Sequence, residues 1–261
     1  MYIAMVTGAS SGMGREFVRQ IWQAYKSLDE IWLVARREEA LKDLARDLAG
    51  EESLDLDAPV PFAGLCISGM GKTKLRLLTL DLTRETQLCR LQECLQVFKP
   101  VIRLVVNAAG VGYYGKAEEL SVEEQLGMVD LNCRALTRVT LDCLPYLTEG
   151  SRILQIASGS AFCPQARFAV YAATKTYVVS FSRSLARELK QRRITVTSVC
   201  PGPVDTEFFA HGGFRLPPWK RPFLADCQRV VRKALFDAEA GKCLSIYGLP
   251  MKLVYLGRGL L

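Results

Sequence analysis

The chain has one histidine, His211, in 261 residues. A Cys/His metal centre needs several such ligands at close spacing, so no metal site is expected. The nine cysteines are odd in number and none forms a C-x-x-C pair. No apolar run approaches the ~18 residues that span a bilayer. The opening Met-Tyr-Ile-Ala-Met-Val carries no basic n-region and no long apolar run before the Thr-Gly turn, so a secretory leader is not expected. These absences together point to a cytoplasmic protein with reduced thiols. No Pro/Gly/Ser-rich linker divides the chain, and one large α/β domain over residues 1–261 is expected. The net charge is +7, but the lysines and arginines are dispersed and not interleaved with aromatics. A nucleic-acid partner is therefore not expected, nor is a membrane partner.

What is present alternates strand and helix. Tyr2–Val6 reads as a short apolar strand, and Thr7-Gly8-Ala9-Ser10-Ser11-Gly12-Met13-Gly14 follows at once, with an amphipathic helix to about Tyr25. Strand, glycine-rich turn and helix in that order form the first unit of a nucleotide-binding fold. Gly8, Gly12 and Gly14 permit a tight turn and close approach of a ligand. Ser10, Ser11 and Met13 complete the turn, and the helix N-terminus offers N–H groups to a pyrophosphate. A second strand, Glu30–Ala35, ends in Arg36-Arg37 with no carboxylate from Val34 to Arg37. An acidic residue there would bind the ribose 2′-hydroxyl of NAD, whereas an Arg accommodates the 2′-phosphate of NADP. Arg36 is therefore a candidate for NADP(H), favoured over NAD(H).

Residues 50–74 are the least regular part: acidic, then two prolines, then G-M-G-K-T-K. The segment reads as a peripheral insertion. Its G-M-G-K-T resembles part of a P-loop, but Leu65 stands where the first glycine is required. Leu75–Leu80 is a third strand ending at Asp81, and Val101–Val106 a fourth running into Asn107-Ala108-Ala109-Gly110. Ser121 and Glu124 form a capping box for a helix expected to extend to about Leu147, with Asn132 inside it. Asn132 is either exposed there or has work to do.

The segment from Ile153 to Leu189 carries the chemistry. A buried strand runs into Ala157-Ser158-Gly159-Ser160, and a helix then carries Tyr171 and Lys175 at i and i+4, on one face. A hydroxyl at a strand end facing a Tyr/Lys pair is suited to proton transfer to a carbonyl oxygen. Ile194–Cys200 is the sixth strand, ending in Pro201-Gly202-Pro203-Val204-Asp205-Thr206. The segment 207–222, with Phe208, Phe209 and Trp219, reads as a lid over a non-polar substrate. A helix from about Ala225 to Ala240 and a strand near Cys243–Tyr247 follow, then an apolar, basic tail expected to pack on its own domain. Seven strands alternating with helices imply a doubly wound, Rossmann-type parallel sheet with helices on both faces.

These motifs in this order, T-G-x-x-x-G-x-G at Thr7–Gly14, Asp81, N-A-A-G at Asn107–Gly110, Asn132, Ser158, Y-x-x-x-K at Tyr171–Lys175 and P-G-x-V-x-T at Pro201–Thr206, resemble the single-domain branch of the short-chain dehydrogenase/reductase superfamily over nearly the whole chain. The resemblance implies an NADP(H)-dependent oxidoreductase that interconverts a carbonyl and a secondary alcohol. It implies Tyr171 as general acid/base and Lys175 as its electrostatic partner and holder of the nicotinamide ribose. Ser158 would bind the substrate oxygen, and Asn132 would position a water relaying protons to Lys175. Asp81 would meet the adenine, Asn107, Ala108 and Gly110 the adenosine side, and Pro201, Gly202, Val204 and Thr206 the nicotinamide. Two departures stand out: Ala108 replaces a common second Asn, and Ala157 precedes Ser158 where a Ser is frequent, with Ser160 able to substitute in part. Tyr113, Tyr114, Phe162, Phe208, Phe209 and Trp219 suggest a hydrophobic, steroid-like or fatty substrate. The family also implies a homodimer or homotetramer built on the helices of Asn132 and Tyr171. The alternatives are an NAD(H)-preferring dehydrogenase of the same family, or a cofactor-binding sensor or scaffold without turnover.

Overall fold

A computed structural model describes residues 1–50, 73–204, 206 and 224–257, and residues 65–68 as backbone. Strands β1 (Tyr2–Thr7), β2 (Glu30–Ala35), β3 (Leu65–Ser68), β4 (Lys74–Thr79), β5 (Val101–Asn107), β6 (Leu147–Ile156), β7 (Thr195–Val199) and β8 (Leu244–Ser245) form one sheet in the order β3-β4-β2-β1-β5-β6-β7-β8. The seven expected strands are all parallel. The eighth, β3, lies within the segment read as an irregular insertion and pairs antiparallel with β4 at the sheet edge.

The sheet is covered on both faces. Helices α1 (Gly12–Ala24), α2 (Glu38–Ala49) and α7 (Cys227–Glu239) pack on one face through Phe17, Ile21, Leu44 and Val231. Helices α3 (Glu85–Phe98), α5 (Leu136–Cys143) and α6 (Ala169–Glu188) pack on the other through Leu91, Val139 and Leu185. Central strands feed both sides by alternation: Ala4 and Val6 face the first cluster, Ile3 and Met5 the second. Each fully buried side chain of Val to Phe size contributes about 1.5–3 kcal/mol. Two-sided burial is why these strands read as continuous apolar runs.

β1 and β5 are neighbours at the centre, although six elements separate them in sequence, so the strand order reverses between them. Their C-terminal ends, Thr7 and Asn107, are paired. Ligands of open α/β sheets bind in the crevice at such a point. At the opposite edge Glu30 and Arg76 form a buried ion pair, with Nε–Oε2 2.7 Å and both side chains under one-tenth exposed. Trp32 Nε1 also donates to Glu30 Oε2 at 2.8 Å, and the Arg76 guanidinium lies 4.2 Å from the Phe98 ring centre.

The expected capping box is present: the Ser121 side chain accepts from Glu124 N, and Glu124 reaches back to Ser121 N. The helix it starts does not run unbroken to Leu147. Helix α4 (Val122–Val129) passes into a π-helical turn at Asp130–Ala135, then α5, then a 3₁₀ turn at Leu144–Tyr146. The tail is a helix, α8 (Leu249–Gly257), with Met251 and Tyr255 packed on the cluster of Ala157, Phe162 and Cys200. Its packing on its own domain agrees with expectation on that side, while Leu249, Leu253 and Leu256 stand exposed.

Candidate active site

The glycine turn leaves β1 at Thr7, whose Oγ1 accepts from Ala109 N at 3.1 Å, tying the turn to the end of β5. Gly8 has φ +68°, and a Cβ there would stand 2.7 Å from Ala109 N. A Cβ on Gly14 would overlap the Gly8 carbonyl. Neither position admits a side chain, and the bare backbone above the α1 N-terminus is a cradle shaped for an anionic group. Gly12, with φ +51°, faces Thr206 across the crevice: a Cβ there would lie 3.5 Å from Thr206 Cβ. The glycine turn and the turn after β7 are thus two walls of one slot. Val204 is buried and bridges to Ala225. Asp205 and the expected lid, 207–222, with Phe208, Phe209 and Trp219, lie outside the described residues.

At the far end of the slot the two arginines diverge. Arg37 Nη2 donates to Ser10 Oγ at 3.4 Å. Arg36 is exposed and acts on Asp81 by its charge. Burial works against ionisation of Asp81, but hydrogen bonds from Thr83, together with Arg36 and Arg84, outweigh it and hold the carboxyl below the usual range. Asn107 is 2% exposed; its Nδ2 donates to Thr140 Oγ1 at 2.9 Å and Gln155 Oε1 at 3.0 Å. It therefore locks β5, β6 and α5 together beneath Ala108 and Ala109.

Asn132 resolves its own puzzle. It lies in the π-helical turn, fully buried, and its Oδ1 accepts from Val111 N at 2.9 Å. Its Nδ2 donates to Val111 O at 2.8 Å and to Thr174 Oγ1 at 3.1 Å. The side chain thus fastens the segment after Gly110 to helix α6. A Cβ on Gly110 would stand 3.1 Å from Asn132 Oδ1 and 3.4 Å from Lys175 Nζ, so the N-A-A-G segment runs directly over Lys175.

Ser158, Tyr171 and Lys175 meet at the C-terminal end of β6. The Ser158 hydroxyl is hydrogen-bonded with the Tyr171 phenol. Its Oγ also accepts from Ser160 N at 3.2 Å, while Ser160 Oγ accepts from Gln165 Nε2 at 3.2 Å. Lys175 Nζ donates to Ile156 O at 2.9 Å and lies 5.7 Å from the Tyr171 ring centre. Burial pushes the Tyr171 phenol up to about 12, against the lowering effect of the Ser158 bond. Burial pulls Lys175 down to about 8, only partly offset by Cys133 and Cys200. At neutral pH the pair is a protonated phenol beside an ammonium.

Aromatic residues frame this cluster. Phe168 packs on Tyr171 (centroids 5.2 Å) and on Tyr114 (5.1 Å). The sequence reading missed Phe168; its position three residues before Tyr171, at the cap of the same helix, was the available signal. Phe162, expected in the cleft, turns its ring to α8 instead and packs edge-on against Tyr255 at 4.9 Å. Among the described residues no group of His, Cys, Asp and Glu could hold a metal ion, and no helix is long and apolar enough to cross a membrane.

The family model for short chain dehydrogenases matches residues 66–212. An uncharacterised oxidoreductase of Staphylococcus epidermidis is 31% identical over 206 residues, 78% of each chain. Sulfoacetaldehyde reductase 2 of Chromohalobacter salexigens is 30% identical, covering 79% of this chain and 74% of that one. Among solved structures, a short-chain dehydrogenase from Sphingobium yanoikuyae in complex with NADPH superposes with a TM-score of 0.78 at 25% identity, over 100% of this chain and 95% of that one. Fold, motif order and relatives agree, and the chain belongs to the short-chain dehydrogenase/reductase family of NAD(P)-dependent oxidoreductases.

Proposed function

We propose that the protein is an NADP(H)-dependent reductase of hydrophobic carbonyl compounds, with Tyr171 as the proton donor. The observation that carries this reading is the buried Tyr171 phenol, hydrogen-bonded to Ser158 and one helical turn from Lys175. A phenol held near 12 stays protonated at neutral pH, which suits delivery of a proton to a carbonyl oxygen. Ser158 orients that oxygen, and Ser160 Oγ, which accepts from Ser158 Oγ and from Gln165 Nε2, stands beside it. Lys175, as an ammonium, stabilises phenolate character as the proton leaves and offers N–H donors to a ribose. Asn132 keeps Val111 and α6 in register, which fixes Lys175 against Gly110. The bare glycine cradle and the slot to Thr206 fit a dinucleotide; when bound, that cofactor supplies the hydride.

The NADP(H) preference is supported by Arg37 on Ser10, by Arg36 beside it, and by the lack of a carboxylate at the end of β2. The hydrophobic substrate is supported by Tyr114 and Phe168 beside Tyr171. A homodimer through α4 and α6 is supported by the exposure of Leu126, Val129 and Tyr177. A cytoplasmic location and one catalytic domain, with 50–74 peripheral and 207–222 as lid, complete the reading.

Purified protein with NADPH is to be tested against decanal, acetophenone and sulfoacetaldehyde. Faster turnover of the first two is expected; preference for sulfoacetaldehyde would overturn the hydrophobic assignment. Tyr171→Phe should lower kcat by at least about a hundredfold, the range of a lost general acid, with NADPH binding retained. Equal activity in that variant would remove Tyr171 from the mechanism. If the wild type turns over none of the three while NADPH binds, the scaffold reading gains ground.

A further inference from the structure

The turns bearing Ser158 and Pro201 share a neighbour. Both turns contain a glycine, Gly159 and Gly202, and both glycines open toward Met251 of α8. A Cβ on Gly159 would collide with the Met251 methyl, and one on Gly202 would stand 2.9 Å from Met251 Cγ and 3.1 Å from its sulfur. The two turns are also joined directly, since Gly159 N donates to Pro201 O at 2.8 Å. One turn along α8, Tyr255 packs on Phe162, at the end of the 3₁₀ turn that begins after Ser158.

Met251 therefore fills the space that two missing side chains leave. That space lies beside the residue proposed to hold the substrate oxygen and beside the turn proposed to flank the nicotinamide. An unbranched thioether suits such an irregular gap. The exposed side of α8, with Leu249, Leu253 and Leu256, takes no part in this contact.

We infer that Met251 is a positioning residue for catalysis: α8 braces the Gly159 and Gly202 turns, and thereby fixes Ser158 relative to the nicotinamide wall. The inference rests on the reductase reading above. A loosened brace displaces Ser158 without removing any reacting group, so it should act on the carbonyl and not on the dinucleotide. The adenosine half would be held by the glycine turn and Arg37, on the β1–β2 side of the sheet and away from β6 and β7.

The test uses the full chain with NADPH and compares Met251→Ala, Met251→Leu and Leu253→Ser. With decanal or acetophenone at 25 °C, Met251→Ala should lower kcat/KM about tenfold, the scale on which small misplacements act. The Kd for NADPH should stay within about twofold, since uniform cofactor binding is untouched. Met251→Leu should restore most of the loss, and Leu253→Ser should match the wild type. A fall in Tm with kcat and KM unchanged would make Met251 a packing residue only and overturn the inference. If Met251→Ala does not fold, Tyr255→Ala, which frees the other end of α8, takes its place with the same expected split. If the wild type reduces neither carbonyl, the substrate reading fails separately, and hydrogen exchange in the NADPH-bound protein decides this one. Faster exchange at 158–162 and 201–204 in Met251→Ala, reversed in Met251→Leu, with 7–14 unchanged, supports the brace; equal exchange overturns it.

Discussion

Lys175 is tied to the sheet through its hydrogen bond to the Ile156 carbonyl oxygen, 2.9 Å away at the end of β6. The groups that oppose its desolvation are the thiols of Cys133 and Cys200, and no carboxylate is among them. The fold therefore carries this cation at a cost, and the cost has a pH signature.

The folded pKa, about 8, lies below the ordinary 10.5. Between those values the unfolded chain binds a proton that the folded chain has lost, so stability rises with pH across that window. Below pH 8 both states are protonated and the penalty is fully present. Lys175→Met should thus be more thermostable than the wild type at pH 7, with about 2–4 °C in Tm for each kcal/mol relieved. The difference should shrink as pH is raised from 8 toward 10.5. Thermal melts across that range check it; a variant less stable at pH 7 than the wild type would contradict the uncompensated burial.

Arg36 and Arg37 should separate in cofactor binding. Arg37 already reaches Ser10 in the glycine turn, whereas Arg36 faces solvent and Asp81. Arg37→Ala should weaken NADPH about tenfold or more, the worth of a lost charge-assisted hydrogen bond. NADH should change little, and Arg36→Ala should have the smaller effect. Fluorescence titration with both dinucleotides reads the ratio; equal losses for NADH and NADPH would remove the 2′-phosphate role.

The Glu30–Arg76 pair should matter for stability alone. Glu30→Gln leaves the Arg76 guanidinium buried without its carboxylate, which costs about 3–5 kcal/mol. Glu30 is the first residue of β2, at the sheet end away from the slot. Denaturant unfolding should show the loss, while kcat/KM at 25 °C should stay within about twofold, as expected for a site that touches no reacting group. A large fall in kcat/KM would mean that this edge communicates with the crevice.

The features legible in the sequence were those with a local signature. The glycine turn is read from its spacing, and Ser121/Glu124 from a three-residue motif. Tyr171 and Lys175 are read from helical periodicity. What was not legible depends on partners distant in the chain. Arg76 sits among apolar strand residues and finds Glu30 46 residues away. Phe168 and Tyr114 meet only when α6 packs. Strand β3, four residues long, is defined by its pairing with the open edge of β4, a partner that its own short run does not announce. Phe162 and Met251 find their places only once α8 folds back over the turns after β6 and β7. Asn132 in a helix was flagged by its unfavourable propensity, but the π-helical turn that accommodates it has no residue code.

That turn bears on chain length. It holds one residue more per revolution than the helices on either side, and each residue of an α-helix advances the phase by about 100°. Deleting one residue between Asp130 and Ala135 would restore ordinary winding and leave the phase of α5 nearly unchanged, because the wide turn is itself the extra residue. Thr140 would stay against Asn107 and Gln155, and the loss would fall on Asn132, which the wide turn sets between Val111 and Thr174. The extra residue between α4 and α5 thus serves the Asn132 fastening, and the helix after it keeps the face it turns to the sheet.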